Sequence, residues 1–268
     1  MKARHEFNIL IIAIATILFY SCSCNHAKRG NILTIGATPI PHAEILAAVK
    51  PLLEKQHIDL KVVEFSDYIQ PNEALAAKEL DANFFQHVPY LDKFNHDRNF
   101  SLKPLVAVHI EPMGIYSRKY RSISQIAKGS AIAIPNDPTN GGRALALLAK
   151  AGIITLKNNV SFNATTADIA ININSVRIIE LEAAQLPRML DDVAFAVINT
   201  NYALEAKLDP LKDALFIEGG DSPYANVVAV RSDDTLRPEL IALKKALTSP
   251  EVHRFIIEKY KGAIIPAY

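Results

Sequence analysis

One short segment of the chain places polar and aromatic side chains where they could bind a small ligand. An apolar run, residues 82–85, is typical of the end of a buried strand. Gln86 and His87 follow it at once, and Tyr90 comes three residues later. In open α/β sheets, small ligands bind at the carboxyl ends of the strands. The segment therefore predicts a ligand pocket at one edge of a sheet.

Aromatic residues near this segment predict one apolar wall for the pocket. Successive strand residues face opposite sides, so Phe85 is expected in the pocket and Phe84 in the core. Tyr68 lies in a predicted loop, where no helix requires an aromatic residue. An apolar ligand tail suits such a wall, and a sulfur atom near a ring edge gains about 0.3–1.5 kcal/mol.

A second candidate is the segment 135–143, which leads from a predicted strand, residues 131–134, into a predicted helix, residues 143–151. Gly141 and Gly142 would let the backbone approach a ligand, and the first N–H groups of a helix favour an anion. Arg143 adds a planar guanidinium that can grip a carboxylate with two parallel hydrogen bonds. The pattern predicts an anion clamp, although an arginine near a helix start is also common as an ordinary surface residue.

Two asparagines suit the backbone groups of an amino acid. Asn199 closes the apolar run 195–198, and Asn226 follows a segment that contains Pro223. A side-chain amide offers both a donor and an acceptor, which fits an α-amino group and a carboxylate on one carbon. Asparagine in such positions also serves as a turn residue or helix cap, so both interpretations stay open.

His87 could bind a ligand, bind a metal ion, or be a buried histidine bonded to backbone. The other residues that could complete a metal site are His96, His109 and Glu111, and they do not fall at a recognised ligand spacing. We therefore predict no metal site and no cofactor. No GxSxG, Walker or GxGxxG motif occurs, and no cysteine lies beyond residue 24 to act as a nucleophile, so no enzyme is predicted.

The beginning of the chain reads as an export signal with a lipid attachment site. Lys2 and Arg4 precede an uncharged run, residues 9–19, that is shorter than the roughly 20 apolar residues a membrane span needs. We predict a signal peptide over residues 1–21, acylation of Cys22 with Cys24 as the alternative site, and a tether over residues 22–31. Acyl chains would then hold the protein at a membrane surface on its non-cytoplasmic side.

Composition narrows the classes of function. The chain has 268 residues, of which 50% are hydrophobic, and its formal net charge is only +1. A nucleic-acid partner would need a clustered basic surface, and the sequence shows no run of basic residues that predicts one. Both cysteines precede the predicted domain, so the sequence predicts no disulfide framework.

Predicted strands and helices alternate along the rest of the chain, which favours an α/β fold with mostly parallel sheets. Two such units with a late return of the chain predict a bilobal clamshell. We place lobe 1 at residues 32–110 and 227–268 and lobe 2 at residues 111–226. The crossings are expected near residues 109–116 and 222–226. Both segments contain proline, and hinges are often irregular connections of this kind.

The chain resembles the methionine-binding lipoproteins of ABC importers, the NlpA or MetQ type. Ordered matches cover nearly the whole predicted domain: residues 36–39 with 41–46, 67–68 with 71–75, 81–90, 111–117, 135–138 with 143–145, 180–188, 198–199, and 223–224 with 226. Lys78 departs from the pattern, since members of the family often have glycine there.

The resemblance implies a type II periplasmic-binding-protein fold, two doubly wound lobes joined by two crossovers. It implies that the lobes close on L- or D-methionine and deliver it to a permease with a cytoplasmic ATPase. Arg143 would then anchor the carboxylate, while Asn199 and Asn226 would pair with the amino and carboxylate groups. Four residues would form the pocket for the ligand side chain: Tyr68, Phe85, His87 and Tyr90. The resemblance also places Asn140 among the ligand-binding residues. Alternatives are another small amino acid, a methionine dipeptide, a metal ion, or an adhesin on the same fold.

Overall fold

The computed structural model describes residues 31–158, 164–220 and 222–268. The predicted signal peptide and both candidate lipid sites, Cys22 and Cys24, lie outside these residues, as does almost all of the predicted tether. Within the described ranges, no helix combines the length and the apolar character needed to cross a membrane.

Strands and helices alternate as the apolar periodicity predicts. In chain order the strands are β1 (Asn31–Ala37), β2 (Ile58–Glu64), β3 (Ala82–His87), β4 (Leu102–Ile110), β5 (Gly114–Tyr116), β6 (Ala131–Pro135), β7 (Thr155–Leu156), β8 (Ile169–Ile171), β9 (Arg177–Leu181), β10 (Phe195–Ile198), β11 (Ala214–Ile217), β12 (Ala225–Arg231) and β13 (Ile265–Pro266). The α-helices are α1 (Glu44–Glu54), α2 (Gln70–Ala76), α3 (Val88–Arg98), α4 (Pro138–Lys150), α5 (Thr200–Glu205), α6 (Pro210–Asp213), α7 (Pro238–Leu247) and α8 (Pro250–Tyr260).

The strands build two main sheets. One has the order β13-β4-β12-β3-β1-β2 and the other β11-β5-β10-β6-β9, while β7 and β8 form a small separate pair. The chain thus leaves the first sheet after β4, forms the second sheet, and returns through β12. This late return agrees with a bilobal fold that has two crossovers. The residue boundaries of the lobes, 32–110 with 227–268 and 111–226, stay a prediction.

The sheets are more mixed than the predicted mostly parallel arrangement. β1 runs parallel to β3, and β6 runs parallel to both β9 and β10. However, β12 is antiparallel to both of its neighbours, β3 and β4, and β5 is antiparallel to β10 and β11. The reason is the topology: strands that enter a sheet by a crossing from the other sheet need not follow the direction that a β-α-β connection imposes.

Helices cover both faces of the first sheet. Val228 and Val230 of β12 belong to a core cluster that includes residues of α1, α7 and α8. Val227 and Ala229, the alternate residues of the same strand, belong to a different cluster with residues of α2 and α3. Since successive strand residues face opposite sides, the two clusters lie on opposite faces. The sheet is therefore buried on both sides, and only its edges and strand ends can form a site.

Two element boundaries near the predicted site differ from the sequence prediction. Strand β3 continues through His87 instead of ending at Phe85, because Asn226 of β12 pairs with His87 and extends the ladder. Helix α4 begins at Pro138, five residues before the predicted start at Arg143. Proline fits the first turn of a helix, and Asp137 caps it, so Gly141 and Gly142 lie inside the helix.

Single residues in two connections have backbone or steric requirements. A Cβ atom on Gly114 would lie 2.7 Å from the ring of Tyr116, so the first crossing needs glycine at this position. Lys78 follows α2 with φ at 66°, in the left-handed region that favours glycine. A glycine, which the resemblance leads us to expect at this position, would adopt this conformation without strain.

Candidate ligand-binding site

A small cavity lies where strands β3 and β12 of the first sheet meet the first turns of helices α4 and α5. Its volume is about 20 Å³, so the surrounding side chains nearly close it. The eight predicted ligand-binding residues all line this one cavity: Tyr68, Phe85, His87, Tyr90, Asn140, Arg143, Asn199 and Asn226. Four further lining residues were not predicted for it: Gln86, Glu111, Thr200 and Asn201. Lining the cavity gives the position of these residues and does not by itself assign them a role in binding.

Three rings form what we call the aromatic wall: Tyr68, Phe85 and Tyr90. Their centroids lie 5.8–6.0 Å apart in all three pairs, at the spacing of favourable ring contacts. The Tyr90 hydroxyl donates to the backbone oxygen of Tyr68 at 2.8 Å. Phe84, the neighbour of Phe85, lies fully buried in the core of the first sheet. The alternation of the strand therefore separates the two phenylalanines as expected.

His87 links the aromatic wall to the polar side of the cavity. The backbone N–H of Tyr90 donates to Nδ1 of His87 at 3.2 Å, which makes His87 the N-cap of α3. Its Nε2 lies 3.4 Å from Oδ1 of Asn140. Burial lowers the pKa of His87 to about 3, and the positive charge of Arg143 acts in the same direction. His87 is thus a neutral histidine bonded to backbone that also faces the cavity.

The other side of the cavity is what we call the polar wall: Glu111, Asn140, Arg143, Asn199, Asn201 and Asn226. Arg143 is only 3% exposed. Its Nε and Nη2 donate to the two carboxylate oxygens of Glu218 at 2.8 and 2.5 Å, and Nη2 also donates to the backbone oxygen of Glu111 at 2.7 Å. The paired fork that we predicted for a ligand carboxylate is therefore already occupied by a carboxylate of the chain itself.

The backbone part of the predicted anion clamp, at the start of α4, is occupied by a side chain of the protein itself. Asp137 caps the helix, and its carboxylate accepts from the backbone N–H of Asn140 at 2.9 Å. The side-chain amide of Asn140 donates to the same carboxylate at 3.0 and 3.1 Å. An anion at this helix end would meet a negative charge, so these N–H groups do not offer an anion site.

Two asparagines of the polar wall have buried polar atoms without a partner. Asn199 is the N-cap of α5, and its Nδ2 donates to Oδ1 of Asn140 at 2.8 Å. Its Oδ1 has no hydrogen-bond partner in the described ranges, and neither does Nδ2 of Asn201. Such atoms are rare in folded proteins because their desolvation is costly. A donor and an acceptor on the lining of one cavity are what a ligand with both groups would pair with.

Glu111, a member of the polar wall, is held in place by two buried histidines. Its Oε1 lies 2.7 Å from Nε2 of His109 and 3.2 Å from Nε2 of His42, and its Oε2 accepts from the backbone N–H of Asn201 at 3.0 Å. Burial raises the pKa of Glu111. Burial also lowers the pKa of His42 to about 4 and that of His109 to about 3, so both histidines are neutral.

This cluster differs from the metal-ligand set that we considered in the sequence. His96 is exposed and bonds to Asp97, whereas His42, which precedes His109 by 67 positions, takes its place beside His109 and Glu111. The three donor atoms lie within 4.8 Å of one another. His42 also connects to Asn226, whose Oδ1 is 3.3 Å from Nε2 of His42. N–H groups already satisfy the carboxylate, and the short distances are those of hydrogen bonds.

Comparison with known proteins relates the described domain to one family over its whole length. The family model described as NlpA lipoprotein matches residues 33–268. The chain is 41% identical to membrane lipoprotein TpN32 of Treponema pallidum over 100% of both chains. It is 41% identical to the D-methionine-binding lipoprotein MetQ of Escherichia coli K12, over 91% of this chain and 89% of the relative.

Solved structures agree with this relationship. A nutrient-binding protein from Burkholderia cenocepacia, bound to methionine, superposes with a TM-score of 0.86 at 45% identity, covering 88% of this chain and all of the other. The methionine-binding protein MetQ gives a TM-score of 0.86 at 38% identity, over 89% of this chain and 99% of the other. These similarities extend over the two main sheets and the cavity between their elements.

Proposed function

Because this chain belongs to the NlpA lipoprotein family, we propose that it is a substrate-binding lipoprotein that captures methionine for an ABC importer. The similarity to a protein whose structure contains methionine supports this ligand. The relatives described as D-methionine-binding lipoproteins support it further, and they include the D-isomer among the candidates. The proposed role is binding and delivery, without a chemical step.

The observation that carries the proposal is the pairing of unsatisfied amide atoms with an aromatic wall. Oδ1 of Asn199 is an acceptor suited to an ammonium group, and Nδ2 of Asn201 is a donor suited to a carboxylate. Both line the same cavity as Tyr68, Phe85 and Tyr90. Methionine has an ammonium group, a carboxylate and an apolar thioether, which matches these three requirements.

We assign the ligand groups as follows. The carboxylate receives hydrogen bonds from Nη1 of Arg143 and from Nδ2 of Asn201, while the ammonium group donates to Oδ1 of Asn199. Asn226 lies beside His87 on the neighbouring strand and completes the head-group site, with Asn140 as the residue that orients Asn199. The thioether lies against the aromatic wall, where sulfur gains about 0.3–1.5 kcal/mol near a ring edge.

We infer that a lipid on Cys22, or on Cys24, holds the protein to a membrane on the non-cytoplasmic side. The permease and its ATPase subunit are the proposed partners. Lobe 1 (32–110 and 227–268) and lobe 2 (111–226) would close on the ligand, and the closed form would dock on the permease. The names of the lipoprotein relatives support the anchor.

The test is calorimetry on protein that has been stripped of ligand by unfolding and refolding. We expect L-methionine, D-methionine or both to bind, and Arg143→Ala to abolish the heat of binding. Arg121→Ala is the control, since Arg121 is exposed and is not among the residues that line the cavity. Circular dichroism would check that both variants fold.

The outcome also separates the alternatives. Native mass spectrometry of freshly purified protein would show a co-purified ligand by its mass. A different amino acid, a dipeptide or a metal ion in place of methionine would contradict the proposed ligand. Native protein that binds neither isomer of methionine would reject the proposal as a whole.

A further inference from the structure

Glu218 is a charged residue that neither the sequence nor the cavity lining identifies as part of the site. We propose that Glu218 is a positioning residue: it neutralises Arg143 and turns a single guanidinium nitrogen toward the cavity, so that the site selects a zwitterion over an anion. This inference rests on the proposed function and specifies the charge of its ligand. It concerns selectivity and assigns Glu218 no contact with the ligand.

The position of Glu218 is fixed by the second sheet. Strand β11 pairs with β5 up to Ile217, which lies opposite Gly114. Glu218 is the next residue, and its backbone N–H donates to the oxygen of Met113 at 3.0 Å. Its carboxylate accepts in return from the N–H of Met113 at 2.9 Å. A carboxylate held by the sheet from both its backbone and its side chain is a rigid partner for Arg143.

Counting the donors of Arg143 shows what is left for a ligand. A guanidinium group has five N–H bonds. The one on Nε points to Glu218, and the two on Nη2 are used by Glu218 and by the backbone oxygen of Glu111. Only the two on Nη1 lack a partner among residues 31–158, 164–220 and 222–268. A ligand carboxylate can therefore be held by one nitrogen of Arg143 and not by a two-nitrogen fork.

The ring of Tyr224 fixes the remaining orientation. It lies over the guanidinium group, with 4.2 Å between the ring centroid and Cζ of Arg143. Cations over an aromatic face are attracted by the ring quadrupole, and arginine often stacks in this way. With Glu218 along one edge and Tyr224 across one face, the side chain of Arg143 has little freedom to present another nitrogen.

The charges of the site lead to the same conclusion. The side chains of Arg143 and Glu218 are 3% and 13% exposed, and their opposite charges cancel within a buried pair. A zwitterion adds no net charge to this pair. An anion would bring an uncompensated charge close to two carboxyl groups, Glu218 and Glu111, and a buried charge without a partner is costly. The native site should therefore reject a ligand that has the carboxylate and the thioether but no ammonium group.

The experiment compares methionine with 2-hydroxy-4-(methylthio)butanoate, an anion with the same thioether tail. Calorimetry on the full chain, stripped of ligand, would give the affinity for methionine divided by the affinity for the anion. This ratio is measured for native protein and for Glu218→Gln. We expect the ratio to fall at least tenfold in Glu218→Gln, because Arg143 regains an uncompensated charge and the anion becomes acceptable. Glu180→Gln, at an exposed position, is the control and should keep the native ratio.

A folded Glu218→Gln variant whose ratio stays within twofold of the native value would overturn the inference. If that variant does not fold, Glu218→Asp replaces it, since it keeps the charge and shortens the reach. In Glu218→Asp we expect weaker binding of methionine with a ratio close to native, and native affinity for both ligands would overturn the inference. Failure of native protein to bind methionine would instead refute the proposed function, so the two failures are distinguishable.

Discussion

The two walls of the cavity are built in different ways. The aromatic wall comes from one stretch of chain, since the bond between Tyr90 and Tyr68 joins residues 22 positions apart. The polar wall is assembled from distant segments: the Arg143–Glu218 pair spans 75 positions, and the His42–Asn226 contact spans 184. One wall belongs to the local packing of α3 and β3, whereas the other exists only when the second sheet and the crossings are in place.

This difference separates stability from binding. The rings of the aromatic wall pack on one another and on Phe94, so they contribute to the fold as well as to the cavity. The polar wall contains buried atoms that have no partner in the part of the chain that the structure describes, and such atoms lower stability until a ligand satisfies them. We therefore expect the loss of a ring from the aromatic wall to affect both stability and affinity, and changes in the polar wall to affect affinity above all.

The largest effect is expected from the two adjacent phenylalanines. Phe84→Ala removes a fully buried core ring and should lower the free energy of unfolding by about 3–5 kcal/mol. Phe85→Ala should cost less, because Phe85 borders the cavity, but it should weaken methionine binding about tenfold. Denaturant titration and calorimetry measure the two quantities. Equal stability losses together with equal affinities in the two variants would remove the distinction between core and wall.

Asn199→Ala tests the opposite wall. It removes the unpartnered acceptor and leaves the ligand ammonium without a hydrogen bond, so affinity for methionine should fall about 100-fold, or roughly 2.7 kcal/mol. The free energy of unfolding without ligand should change by less than about 1 kcal/mol, since little packing is lost. Asn172→Ala is the control, since Asn172 directly follows β8 and is not among the residues that line the cavity. A large stability loss without loss of affinity would show that Asn199 only caps α5.

The sequence could predict the aromatic wall because its evidence is local. A strand of alternating faces, a proline and a loop tyrosine lie within the stretch from Tyr68 to Tyr90. It also named Arg143, Asn199 and Asn226, first from a helix start and from segment ends and then through the family resemblance, but not through their partners. Glu218 could not be found, because nothing in its own neighbourhood signals a bond to a residue 75 positions away.

The same limit explains the other errors. The alanine- and leucine-rich pattern predicts a helix from Arg143 onward, whereas Pro138 and the cap Asp137 start the helix earlier. The apolar run predicts an end of β3 at Phe85, and pairing with the partner strand β12 extends the strand to His87. Local composition predicts the kind of element well, and tertiary partners decide where it ends.

The pH dependence of stability should reveal the buried histidine between the walls. The pKa of His87 in the folded chain is about 3, below its ordinary 6.5, so the unfolded chain binds the extra proton first. Its contribution to stability is complete above pH 6.5 and is lost as pH falls toward 3. His87→Gln should therefore become more stable relative to native protein by about 1.4 kcal/mol per pH unit below pH 6.5.

Thermal melts of both proteins at pH 7.5, 6.0 and 5.0 would measure this difference. His96→Gln is the matched control on the same helix, since the side chain of His96 is 85% exposed, and it should follow the native profile. A constant difference between His87→Gln and native protein across this pH range would contradict the neutral, buried state of His87.

The smallest effect separates two tyrosine hydroxyls of the same wall. The hydroxyl of Tyr68 donates to Oδ1 of Asn201 at 2.6 Å and so connects the aromatic wall to the polar wall. The hydroxyl of Tyr90 stays within the aromatic wall, where it donates to the backbone of Tyr68. Each bond is worth about 1 kcal/mol.

Tyr68→Phe should weaken methionine binding about fivefold, because the amide of Asn201 loses its orientation. Tyr90→Phe should instead lower stability by about 1 kcal/mol and leave affinity nearly unchanged. Calorimetry and thermal melts on both variants decide the matter, and a Tyr90→Phe variant that loses as much affinity as Tyr68→Phe would mean that the two walls act as one unit.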